Sequence, residues 1–514
     1  MTLLQWFIFF LVLQVVHYLG TWKLYEKAGR KSWEAAVPVY NAIVLMKIIN
    51  RPTWWTALLF VPIVNLIMFI AVWVETLRSF GKNTTKDTIL GVVTLGFYIY
   101  YINYFENVAY KIDRSLVATT KTGDTISSLL FAIVVATLVH GYVLQPFNIP
   151  TSSLEKSLLV GDFLFVSKFH YGARTPKTAV ALPMVHDSIP FIKTKSYVNF
   201  PQLPTFRFPG LQAIQRNDIV VFNWPVDTVY KFRDPSGRHV DKPLDKRSNY
   251  VKRCQGIPGD NLSIKNGDVY INNKKLALPE RAKPQYSYKV TTDGSGLDGK
   301  YIIEDLQITD RIYPIGTNEY LFSAVTEEAA KKLKEIPAIK SVVKNITSET
   351  DRRLFPHNQN WSQDNYGPIY IPEAGKTVAI TKENLPFYRR LITVYEGNKL
   401  EEKGGQIYIN DKPALNYTFQ QDYYWMMGDN RHNSEDSRYW GFVPFDHVVG
   451  KPVFIWFSLD SNLPWSQAID KIRWDRLFCT VGGDGQPTSY FSYFLILLAG
   501  WFGFDYFRKR KKAN

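Results

Sequence analysis

The residues best able to do chemistry fall in three short stretches. The first is Ile149-Pro150-Thr151-Ser152-Ser153-Leu154, whose run of hydroxyls suits a helix cap or a loop as readily as an attacking group. The second is Tyr250-Val251-Lys252-Arg253, framed by Asn249 and by Gly256-Ile257-Pro258-Gly259-Asp260. It alternates like a strand, so Tyr250 and Lys252 face one side while Val251 and Arg253 face the other. A lone lysine in such a strand is ordinarily a solvated charge. The third is Gly428-Asp429-Asn430-Arg431-His432-Asn433-Ser434-Glu435-Asp436-Ser437-Arg438-Tyr439-Trp440-Gly441. So many hydrogen-bonding groups beside Met426-Met427 predict an internal polar network rather than plain surface.

Taken in order, the three stretches resemble type I signal peptidases. That family has a serine after an Ile-Pro pair, a Lys-Arg strand followed by Gly-x-Pro-Gly-Asp, and a closing Gly-Asp-Asn-Arg-x-Asn-Ser-x-Asp-Ser-Arg block. Leu158-x-x-Gly161-Asp162 and Asp218-Ile219-Val220-Val221-Phe222 match as well. The resemblance covers roughly 140–275 and 405–460 and leaves out 1–125 and most of 276–400. It implies an endopeptidase that removes signal peptides from exported preproteins after small residues at A-x-A sites, with Ser153 as nucleophile and Lys252 as general base.

A free lysine titrates near about 10.4, so the base role requires burial that disfavours the ammonium. By the same resemblance Ser434 hydrogen-bonds and orients Lys252. The Thr151 hydroxyl and the Ser153 N–H form the oxyanion hole. Ile149, Pro150, Tyr250 and Val251 line shallow substrate pockets, and the substrate adds as a strand beside Lys252. Arg253, Asp436 and Arg438 are implied to be a structural salt-bridge set behind the site. This sequence has Leu154 where the family usually has Met, Ser152 for Gly, Lys156-Ser157-Leu158 for Pro-Thr-Leu, Arg216-Asn217-Asp218 for Arg-Gly-Asp, and His432 for Asp. None of these removes a reacting atom. Ser152 beside Ser153 leaves two candidate serines, and the motif register points to Ser153.

The elements that must hold these residues are a membrane region and a β-rich part. Hydrophobic residues make up 46% of the 514-residue chain, and they concentrate in five span-length segments: 2–22, 54–74, 88–105, 126–147 and 488–507. The first lacks the features of a removable signal peptide and is expected to stay as an anchor. Net charge is +15. Six basic residues lie in 23–53, three in 75–87, three in 106–125, and five in the tail Arg508-Lys509-Arg510-Lys511-Lys512. Placing 23–53, 106–125 and the tail in the cytoplasm puts most of the positive charge inside. The N-terminus and the large segment 148–487 are then on the extracytoplasmic, periplasmic side of the inner membrane, and the C-terminus is cytoplasmic. The basic charge is explained by topology, so no nucleic-acid partner is expected; the expected partners are preproteins and the lipid bilayer, and the extra N-terminal spans are read as added anchoring or as a site for another membrane protein or lipids.

The expected architecture is therefore a multi-span helical region, 1–125, with a fourth span at 126–147. A signal-peptidase-like β catalytic domain follows, made of 148–275 and 405–487. An inserted subdomain occupies 276–404, a last span 488–507 and a basic tail 508–514. Short β-branched runs separated by turns, such as Asp162–Lys168 and Gln406–Asn410, support the β reading. Two cysteines, Cys254 and Cys479, exclude a disulfide scaffold and a four-thiolate site, and no HExxH-type spacing occurs, so neither metal nor cofactor is expected. Two other readings compete. Ser153-Leu154-Glu155-Lys156 fits the Ser-x-x-Lys motif of penicillin-binding proteins and β-lactamases, but Lys121-Thr122-Gly123, the only Lys-Thr-Gly, precedes it. A membrane-anchored export factor that has lost activity is the other, and the joint presence of Ser153, Lys252 and Ser434 speaks against it.

Overall fold

The computed structural model describes residues 1–118, 120–192, 194–229, 237–483 and 485–513, the side chains of 511–513 apart. Of the expected tail 508–514, the side chains of Lys511 and Lys512 and all of Asn514 lie outside the described residues. The chain divides into two compact units. One comprises 1–143, 174–207 and 228–247, and the other 144–173, 208–227 and 248–514.

In the second unit, one antiparallel sheet carries the residues of interest. Its strands are β1 (Leu144–Asn148), β2 (Asp162–Ser167), β3 (Ile219–Asn223), β4 (Asn249–Gly256), β5 (Tyr423–Met427), β6 (Val443–Pro444), β7 (Val448–Ser458) and β8 (Cys479–Thr480). The order is β1-β2-β7-β3-β4-β5-β6, with β8 added on β7. Both faces are covered, which is why β3 reads Ile-Val-Val-Phe-Asn without alternation and is buried at every residue. Val220 and Phe222 pack with Cys254, Met426 and Trp440 on one face. Ile219 and Val221 pack with Ile149, Leu154 and Leu164 on the other. The similar segments around 268–275 and 406–413 both form two-residue hairpins. Their turn pairs, Asn272-Asn273 and Asn410-Asp411, all have positive φ, between 50° and 64°, the geometry that twists with the strands.

The expected insertion 276–404 divides in two. A four-stranded sheet of Gln285–Thr292, Ile312–Gly316, Glu319–Thr326 and Ile339–Lys344 has its own core around Tyr286, Val290, Phe322 and Leu333. Leu354, Phe355, Leu385, Tyr388 and Ile392, by contrast, share one core with Leu262, Ile264, Trp425 and Phe442. The boundary fails because residues on both sides of the insertion fill the same interior.

In the first unit the segments 174–207 and 228–247, expected in the β-rich part, cluster instead with the N-terminal helices. Within 174–207 the ladder is reduced to isolated bridges such as Arg174↔Arg207 and Thr178↔Gln202, and Trp6 Nε1 donates to the Gln202 carbonyl at 2.9 Å. Among the described residues two helices are long and apolar enough to cross a membrane, Leu3–Lys27 and Lys121–Val143. The expected span 54–74 is not one helix: it breaks between Trp55–Leu58 and Val64–Ser79 at Pro62 and Ile63, the latter with φ +71°. The expected span 88–105 is also broken, into Thr85–Val93 and Tyr98–Phe105, bent by 116° where Leu95 and Gly96 take positive φ; counted as one span it would be a third. The segment 488–507 lies in helix Phe491–Ala513, which is not in that set.

Candidate active site

β1 ends at Asn148, and the chain turns through Ile149-Pro150-Thr151 into a single 3-10 turn, Ser152–Leu154. Leu154 is fully buried beneath the turn and pins it to the sheet. Lys252 projects from the middle of β4, opposite Val220 of β3. Ser153 and Lys252 are 7% and 3% exposed, and Lys252 Nζ donates to Ser153 Oγ at 2.6 Å. Burial pushes the Lys252 ammonium down to about 8, against the upward pull of the Asp436 and Glu435 carboxylates. The Tyr250 ring, two residues along the same strand, lies 5.5 Å from Nζ.

The other two candidate groups stand apart from this pair. The Ser152 hydroxyl accepts from Asn433 Nδ2 at 3.1 Å. Lys156 donates to Thr309 at 3.4 Å and lines a cavity of about 1170 Å³ to which neither Ser153 nor Lys252 contributes. The Ser-x-x-Lys reading therefore loses its lysine. Its Lys121-Thr122-Gly123 opens a helix in the other unit rather than forming a strand.

The polar block after β5 folds over the turn. The Asn430 amide donates to the Ser153 carbonyl at 3.1 Å, and Asn430 Nδ2 to the Ser152 carbonyl at 3.3 Å. A Cβ at Gly428 would sit 2.2 Å from Ser434 Oγ and 2.6 Å from the Ser153 carbonyl, so only glycine lets the three backbones close up. The expected hydrogen bond from Ser434 to Lys252 is not formed. Ser434 Oγ is buried and has no hydrogen-bond partner among the described residues, while Lys252 Nζ donates to Ser153. Thr151 has extended backbone just before the turn, and its hydroxyl caps nothing.

The three charges expected behind the site form two separate pairs rather than one set. Arg438 grips Asp436 with Nε and Nη2 at 2.9 and 2.8 Å. Arg253 grips Asp429 in the same way at 2.8 and 2.6 Å, and the Ser157 hydroxyl donates to Asp429 at 2.6 Å. Burial would lift the Asp429 carboxyl, but Arg253 and Ser157 hold it below the usual carboxylate range. Sequence reasoning gives no role to Asp429, Ser157 or Asn430; Asp429 and Asn430 stand inside the Gly-Asp-Asn-Arg block, which is the available signal. His432, where the family usually has Asp, accepts from the Ser287 amide at 3.0 Å and sits 2.9 Å from Asp364, tying the block to the four-stranded sheet.

Of the four residues expected to line substrate pockets, Ile149 and Val251 share the apolar cluster with Leu154 and Val221. Tyr250 belongs to the opposite cluster, where it stacks on Trp224 at 5.2 Å and meets the edge of Trp440 at 5.3 Å. Pro150 is exposed. Cys254 is a fully buried core thiol. Among the described residues no group of three His, Cys, Asp or Glu is arranged to hold a metal ion.

Two protein families match the chain. One, described as signal peptidase, peptidase S26, matches residues 122–323 and 416–457, and the other, a family of unknown function (DUF5684), matches 33–112. Among curated proteins, signal peptidase I of Helicobacter pylori is 27% identical over 370 residues, covering 70% of this chain and 92% of that protein. Signal peptidase I of Buchnera aphidicola subsp. Schizaphis graminum is 26% identical over 340 residues, covering 66% and 76%. Signal peptidase I of Rickettsia typhi is 25% identical over 382 residues, covering 70% and 95%. The chain is thus similar to signal peptidases, both in the family model that it matches and in the curated signal peptidases I of several bacteria.

Proposed function

We propose that this protein cuts signal peptides from exported preproteins after small residues, with Ser153 as the attacking group and Lys252 as the group that takes its proton. The observation that carries the reading is the 2.6 Å contact between Ser153 Oγ and a lysine that is buried and lacks an ion-pair partner among the described residues. Once Lys252 is neutral, its lone pair accepts the Ser153 proton as Oγ attacks the scissile carbonyl. The oxyanion develops toward the Ser153 N–H and the Thr151 hydroxyl. Lys252 then returns the proton to the leaving amine. A water molecule, deprotonated by the same lysine, releases the acyl group.

β5 pairs with β4 from Arg253 onward, at Arg253, Cys254 and Gly256. The substrate backbone is placed alongside the first half of β4, where Ile149, Pro150, Tyr250 and Val251 admit only small side chains. The sheet lies on the extracytoplasmic side of the inner membrane, with the N-terminus outside and the C-terminus in the cytoplasm, and the substrate reaches it from the bilayer. Ser434 keeps Lys252 in place during turnover, when the bond to Ser153 is released. The test is single-turnover cleavage of a preprotein with an A-x-A site by the purified full chain in detergent. The wild type releases the mature protein cut after the second alanine, and Ser153→Ala releases none. Cleavage by Ser153→Ala at the wild-type rate would refute the assignment.

A further inference from the structure

The hydropathy pattern sends 54–74 and 88–105 across the membrane, with 75–87 on the face opposite 23–53 and 106–125. The contacts made by 75–87 are incompatible with that. Glu75, near the end of helix Val64–Ser79, receives Arg51 Nε at 3.0 Å and Arg114 Nη2 at 2.5 Å. Arg114 also donates to the Ser79 hydroxyl at 3.0 Å and to the Ile49 carbonyl at 2.8 Å. The Lys111 amide bonds the Ser79 carbonyl at 2.9 Å, Asn50 Nδ2 the Ile112 carbonyl at 2.7 Å, and Lys82 pairs with Glu106 at 2.7 Å. A hydrocarbon core is about 30 Å thick, so the two ends of a crossing segment do not meet within hydrogen-bond distance.

We infer that 52–79 and 85–105 are two re-entrant hairpins that enter and leave the membrane by one face, and that their tips form a surface for lipid acyl chains. Helix Val64–Ser79, 16 residues, rises about 24 Å from the polar base, deep into the bilayer but short of the far side. At its inner end the chain turns back through Pro62 and Ile63. The tips run alongside the two span-length helices. The Phe60 ring lies 6.2 Å from Phe10, Leu58, Val64 and Met68 pack with Val134, and the Tyr100 hydroxyl donates to the Val16 carbonyl.

The outward side chains at the tips are apolar: Phe60, Ile89, Val93, Leu95 and Phe97 are each more than half exposed. At the tip of the 85–105 hairpin the backbone is closed on itself, as an apolar solvent requires. The amides of Leu95, Gly96 and Phe97 bond the carbonyls of Val92, Gly91 and Thr94, and the Tyr98 amide bonds Thr94 Oγ1. The charge pattern agrees. Arg78, Lys82 and Lys86 join the basic side, which leaves no basic short segment on the other face.

The test is labelling of single cysteines in the full chain with a membrane-impermeant maleimide, in right-side-out and inverted vesicles. Cys254 and Cys479 are buried, so the parent chain is the blank. Lys86→Cys is expected to label in the same orientation as Lys31→Cys and in the opposite one to Lys300→Cys. Labelling of Lys86→Cys together with Lys300→Cys would mean that 54–74 crosses, and would overturn the hairpins. Labelling of Lys31→Cys together with Lys300→Cys would also overturn them. For the lipid surface, Val93→Cys carrying an environment-sensitive fluorophore is placed in nanodiscs. Stronger quenching by a nitroxide deep in the acyl chain than by one at the headgroup is expected. Quenching by aqueous iodide instead would show that the tip is not covered by lipid.

Discussion

Lys252 and Arg253 are neighbours on β4, each 3% exposed, and they point to opposite faces of the strand. On one face Arg253 meets the Asp429 carboxylate in a two-bond grip. On the other, Lys252 donates to the Ser153 hydroxyl and has no ion-pair partner among the described residues. The carboxylate that pulls on it most, Asp436, is already held by Arg438 and the Gly428 amide. The cation given a carboxylate stays charged and braces the fold. The cation given a hydroxyl is pushed toward losing its proton and becomes able to do chemistry. Residue type follows the same division, since arginine cannot be deprotonated in a protein and lysine can.

The largest expected effect is on the Lys252 face. Lys252→Arg keeps the charge but not the titratable amine, so cleavage falls to background while circular dichroism keeps the wild-type shape. A Lys252→Arg protein that retained most of its activity would break the comparison. Next is the Arg253 face, where the loss is in stability. Asp429→Ala leaves a buried guanidinium unpaired and is expected to destabilise the protein by about 3–5 kcal/mol in denaturant unfolding. A change under about 1 kcal/mol would mean that the pair braces nothing.

Smaller effects separate the groups around Ser153. Thr151→Ala is expected to lower the single-turnover rate by about 10²–10³ at unchanged stability, and Thr151→Ser to recover most of it, since the hydroxyl does the binding. Ser434→Ala is expected to fall below that, because its hydroxyl makes no bond among the described residues and, in the proposed mechanism, acts only when Lys252 lets go of Ser153. Ser152→Ala is smallest, within about 0.5 kcal/mol in both rate and stability, because its hydroxyl faces Asn433 and not Lys252. An inactive Ser152→Ala beside an active Ser153→Ala would move the nucleophile by one residue.

Much of this site is legible in the residues themselves. The alternation of Tyr250-Val251-Lys252-Arg253 separates two faces, and the strand register then carries Lys252 to one and Arg253 to the other. The partner of Arg253 is not legible in that way. Asp429 lies far along the chain, and a motif names the residues of a block without saying which of them pairs with what. The hairpins at 52–79 and 85–105 are hidden for a different reason. A hydropathy window counts apolar residues and does not register that Pro62 and Gly96 reverse the chain within the stretch. The limit of the insertion is hidden because Leu385 and Leu262 fill one core from opposite sides of it, which is a long-range packing fact with no local pattern.

In the proposed mechanism Lys252 acts as the base because it is buried and has no carboxylate partner among the described residues, and the most direct test of this is the pH dependence of single-turnover preprotein cleavage. The base acts when neutral, and its ammonium is pushed down to about 8, so the rate gains as the proton leaves. The expected result is a rise of roughly tenfold per pH unit below that value and a plateau above it. A rate that is flat across this range, or one that falls as the pH rises through 8, would contradict it.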